Sequence, residues 1–154
     1  MKVLKEMIHK ALRDDASLRT TLGHAALPYG VYEGHFPAVP DFTGAAGAAQ
    51  SYVTWMFLGG GGDASTNGPE MRLAERVFSV TAWSANPDTV ESAHRRIRRL
   101  LVDLYGVTLP TADAGVFGLK QEPGGLGPDL FDDEAKVYFR AETYRVFYRE
   151  EITS

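Results

Sequence analysis

The sequence predicts an α+β domain: an antiparallel or mixed β-sheet with an N-terminal helix and a second amphipathic helix packed on it, and a long loop in one hairpin. Three observations predict it. Apolar residues recur at helical spacing at the start of the chain and again after Asn86. Residues 52–58, 75–84 and 136–149 are rich in β-branched and aromatic side chains and read as strands. Finally, 154 residues with 44% hydrophobic and 23% charged side chains suit a single folded domain spanning 1–154.

In the first helix Val3, Leu4, Met7, Ile8, Ala11 and Leu12 form an apolar stripe, with Lys2, Glu6, His9, Lys10 and Arg13 on the other face. Asp14 and Asp15 offer a break or a new cap, Leu18 and Leu22 add one or two further turns, and Gly23 suits a stop. Residues 24–50 carry Pro28, Pro37 and Pro40 and are expected to be mostly loop, with a short strand at 29–33. Strand 52–58 is apolar on both faces. The following LGGGGDASTNGPEM is too flexible and polar for regular structure, so strands 52–58 and 75–84 are expected to form a hairpin with a long mobile tip.

The next segment, SANPDTVESAHRRIRRLLVDLYG, has helix grammar: a cap at Asn86 or Asp88, Pro87 in the first turn and Gly106 at the end. Val90, Ala93, Ile97, Leu101 and Leu104 form the stripe that meets the sheet. Residues 114–121 resemble a strand, EPGGLGPD a loop, and 136–149 a long final strand. That last strand changes phase: Val137, Phe139 and Ala141 are apolar at odd positions, then Tyr144, Val146 and Tyr148 at even ones. A bulge near Thr143 would produce this, as would a strand whose second half turns to a neighbouring chain.

Several functions lack a sequence signal. The net charge of −4, from 16 basic and 20 acidic residues, gives no overall field for nucleic acid or an anionic membrane. The absence of cysteine removes disulfides, thiolate metal sites and cysteine nucleophiles. MKVLKEMIHKAL lacks the features of an export signal, and no apolar run approaches the ~20 residues of a membrane span. The glycine tip has no lysine and leads into a strand, so it is not a phosphate loop. The histidines His9, His24, His35 and His94 lie in different elements and form no short-spaced ligand pair. His9 and His94 are expected beside their helix stripes, His24 and His35 in loops. There is no Gly-x-Ser-x-Gly elbow. No catalytic, metal or cofactor residues are assigned.

The densest chemistry is HRRIRRLL, four arginines in eight residues. On a helix, Arg95, Arg96, Arg98 and Arg99 fan over the face opposite the apolar stripe. Glu91 stands four residues before Arg95 and Asp103 four after Arg99, each close enough to pair. Three readings remain: a solvated face, a nucleic-acid grip, or contacts to acidic residues of a neighbouring subunit.

The order of elements resembles the tail terminator, or tail completion, family of tailed bacteriophages. The likeness spans nearly the whole chain: the opening helix closing on LRTTLG, VYEGHFPAVP before SYVTWMF, ERVFSVTAWS feeding NPDTVESAHRRIRRLL, and the closing YFRAETYRVFYREE. AVPDFTGAAGAAQ and the EPGGLGPDLFDD region are longer than such proteins usually need. The resemblance implies a structural, non-enzymatic virion protein that assembles as a homo-oligomeric ring, commonly a hexamer, on the head-proximal end of the tail tube. Such a ring stops tube growth and presents the head–tail joining surface. Its partners would be the tail tube protein and a head–tail connector or neck protein, with DNA only as passing cargo and no membrane. Its place would be the virion, reached by assembly in the host cytoplasm. Interface roles then fall on the glycine tip (Gly59, Gly60, Gly61, Gly62, Asp63 and Asn67) towards tube or connector. Arg95, Arg96, Arg98, Arg99, Tyr144 and Tyr148 fall towards a neighbouring subunit or the central channel.

Overall fold

The computed structural model describes residues 2–25, 27–36, 40, 42, 50–58, 62–66, 71–103 and 116–151. Among them, helices α1 (Lys2–Arg13), α2 (Ala16–Leu22) and α3 (Pro87–Arg98) pack on one face of a mixed sheet. Its strands are β1 (Val31–Glu33), β2 (Tyr52–Phe57), β3 (Gly62–Thr66), β4 (Met71–Ser84), β5 (Val116–Leu126), β6 (Leu130–Asp132) and β7 (Val137–Glu151). The order is β1-β2-β4-β7-β5, with β3 alongside β4 and β6 alongside β7. Only the β1–β2 pairing is parallel among these; the other pairs are antiparallel. The predicted α+β class holds.

Local chemistry explains most boundaries. The Asp15 carboxylate accepts from Leu18 N at 2.8 Å and caps α2, and Gly23 ends it at φ 82°. Asn86 caps α3 through Asp88 N, with Pro87 in its first turn. After Arg98 the helix widens into a π-helical turn, Arg99–Asp103. Leu100 and Leu101 are both buried there, continuing the stripe of Val90, Ala93 and Ile97. Leu104 and Gly106 lie outside the described residues.

Three expectations are corrected. The stretch after β2 is not wholly irregular: Gly62–Thr66 is a strand, because β4 begins at Met71 and offers its free edge beyond the end of β2. Likewise β5 runs on through EPGG to Leu126, shifting register between Gln121 and Leu126 to stay beside β7. Third, β7 has no bulge near Thr143 against β4: its pairing is continuous from Tyr138 to Glu151.

The phase change in β7 comes instead from a sheet with apolar clusters on both faces. Towards the helices, Trp55, Phe78, Val80, Tyr144, Val146 and Tyr148 join the stripes of α1, α2 and α3 in the main core. On the opposite face Tyr52, Trp83 and Phe139 line up across β2, β4 and β7. Phe36 and Phe42 close over Tyr52, and Phe36 also meets Trp83. Odd residues Val137 and Phe139 belong to this second cluster, even residues from 144 to 148 to the first. Between them, the helix-facing positions 140 and 142 are charged.

Candidate functional site

Those two charged positions organise the region under α3. Glu142 and His94 are both 0% exposed, with Glu142 Oε2 at 2.7 Å from His94 Nδ1. His94 Nε2 stands 2.6 Å from the Arg140 carbonyl oxygen, so each ring nitrogen faces an oxygen, Nδ1 that of Glu142 and Nε2 that of Arg140. Gln121 donates to Glu142 Oε1 at 2.7 Å, and Arg98 Nε lies 3.2 Å from the same oxygen. Arg140 reaches Glu91 at 2.7 Å and Asp129 at 3.2 Å. Burial pushes the Glu142 carboxyl up, but His94, Arg98 and Gln121 outweigh it and hold the group below its usual value. Hydrogen bonding to Arg140 likewise lowers Glu91. The cluster thus ties α3, β5 and β7 together.

The four predicted arginines divide by location. Arg96 makes a two-pronged contact to Asp15, Nε at 2.9 Å and Nη2 at 2.8 Å, clamping α3 to the cap of α2. Arg98 is engaged with Glu142 and, at 3.5 Å, Glu91. Arg95 and Arg99 point outwards, their side chains 73% and 59% exposed. Their i,i+4 partners are those expected, Glu91 at 3.9 Å and Asp103 at 3.6 Å, but both distances exceed a hydrogen bond. Arg95, Arg98, Arg99, Val102, Asp103 and Gln121 line an open cavity of about 350 Å³ between the end of α3 and β5.

The other predicted residues do not join this site. Gly59, Gly60, Gly61 and Asn67 lie outside the described residues. Gly62 and Asp63 belong to β3, paired with Glu75 and Ala74 of β4. Tyr144 and Tyr148, expected at a subunit edge, are 0% and 3% exposed. Their rings fill the helix-side core of their own chain, and burial raises the Tyr144 phenol. What the sequence reading missed was Asp15 as a clamp, and His94, Gln121, Arg140 and Glu142 as one network. A signal existed: Arg140 and Glu142 share the phase of Tyr144, Val146 and Tyr148, and charges on a core face need partners. On the opposite face, Arg145 bridges Glu122 and Glu75, joining β5, β7 and β4.

This arrangement defines a helix-covered mixed sheet held by buried ion pairs and carrying an exposed arginine cavity. No protein-family model and no curated protein matches the chain. A solved structure does share its fold: a chain described as "Virion of native gene transfer agent (GTA) particle" superposes with a TM-score of 0.64 at 19% identity. The match covers 96% of this chain and 95% of that one.

Proposed function

We propose that this chain is a structural component of a tailed-phage-like particle, and that it acts as a tail terminator. In this reading it forms a ring at the head-proximal end of the tail tube, stops tube polymerisation and offers the joining surface for the head. The observation that carries the reading is the fold shared end to end with a chain of a gene transfer agent virion. The order of elements that resembles tail terminators supports the finer role. Its work is assembly rather than catalysis.

The test is assembly itself. Purified protein, followed by light scattering and negative-stain imaging, is expected to give closed rings and to halt elongation of purified tube protein. Long tubes formed by the chain alone would make it a tube subunit instead. A persistent monomer that leaves tube growth unchanged would sink the proposal.

A further inference from the structure

We infer that the arginine cavity at the end of α3 receives the acidic β6–β7 turn of a second copy of this chain. The inference rests on the ring reading above and names the two patches that a head-to-tail contact requires. Arg95 and Arg99 stand at the cavity with most of their surface exposed and their own carboxylate partners at 3.9 Å and 3.6 Å. A charge-assisted hydrogen bond is about 2.7–2.9 Å, so these guanidinium groups keep donors for a better-placed acceptor. Val102 adds an apolar wall and Gln121 a polar one.

The turn is a matching insert. Asp132 Oδ1 accepts from Glu134 N at 2.9 Å and Ala135 N at 3.0 Å, and Lys136 closes the turn at φ 57°. The backbone is therefore set before any partner arrives, and it presents the exposed carboxylates of Asp133 and Glu134. Leu130 and Phe131, 47% and 45% exposed, flank the turn and supply apolar area for the same contact.

The occupant is a second copy rather than this chain's own turn, for a geometric reason. The cavity-lining Gln121 aligns with Tyr144, whereas the turn ends just before Val137. About seven residues of β7 separate them, roughly 23 Å at ~3.3 Å per residue. A long polyanion such as DNA is disfavoured by the net charge of −4, which gives the chain no overall field to draw it in.

Charge reversal of each patch separates the outcomes. In the full chain, R95E/R99E and D133K/E134K are each expected to weaken self-assembly at least about a hundredfold, since like charges face each other across the contact. Circular dichroism and thermal unfolding should stay as in the unaltered protein, because all four side chains are exposed. An equimolar mixture of the two variants, in which each turn meets an opposite charge, should assemble again, as should the fourfold variant. Variants that assemble as well as the unaltered protein would overturn this contact while leaving the ring reading intact. So would failure of both the mixture and the fourfold variant to recover. An unaltered protein that never self-assembles would overturn the ring reading and this contact together.

Discussion

Four side chains converge on Glu142. Its carboxylate meets His94, Arg98, Gln121 and Arg140 in a place closed to water. Replacing one member of a buried ionic set costs more than the set contributes, because the remaining charges keep their desolvation penalty. Glu142→Gln preserves size and one acceptor but leaves Arg98 and Arg140 short of an anion. It is expected to destabilise the chain by about 3–5 kcal/mol, read as a lower midpoint in urea at unchanged slope. A loss below about 1 kcal/mol would mean the network relaxes around the neutral amide. Little of this was legible beforehand. A single sequence shows that positions 140 and 142 are charged, but which helix residue answers them depends on where α3 crosses β7, a long-range fact that periodicity does not carry.

At the scale of elements, Asp15 does two jobs with one carboxylate: it caps α2 and receives Arg96 from α3. Burial raises its pKa, but Arg96 and the Leu18 amide lower it further, leaving it below the usual carboxylate range. Loss of a cap alone costs about 1 kcal/mol. Asp15→Ala is expected to cost about 2 kcal/mol, since the clamp goes with the cap. Arg96→Ala should cost less, and the double variant less than the sum; a double-mutant cycle measures the difference as coupling. Strictly additive losses would show that cap and clamp act independently. The cap was readable from Asp14-Asp15 ahead of Leu18, and α1, α2 and α3 were all placed by stripe and punctuation. Of the strands beyond Phe57, β4 and β7 were legible, but β3 and the end of β5 were not, because they have weak strand composition and exist through pairing with β4 and β7.

At the scale of the whole molecule, the helices are fastened to one another and to the sheet by acidic groups whose folded pKa values are lowered: Asp15 ties α2 to α3, Glu91 ties α3 to β7, and Glu142 ties β7 to α3 and β5. A carboxylate lowered on folding contributes stability above its unfolded pKa, about 4, and loses it as pH falls through the folded value. His9 adds an earlier step of the same sign. Burial and then Arg13 lower its pKa, and its Nδ1 accepts from Trp55 Nε1 at 3.1 Å, a bond that protonation removes. The unfolded chain therefore takes up this proton first, below about pH 6.5. The midpoint in urea is expected to stay level above about pH 7, to decline gently as pH falls below about 6.5, and to fall steeply below about pH 4. His9→Gln should flatten the gentle decline and leave the steep one. Glu142→Gln should do the reverse, starting lower but losing less in acid, because the proton it would have bound is no longer part of unfolding. If both variants followed the parent curve in parallel, other groups would control the acid response and the helix-to-sheet carboxylates would be bystanders in it.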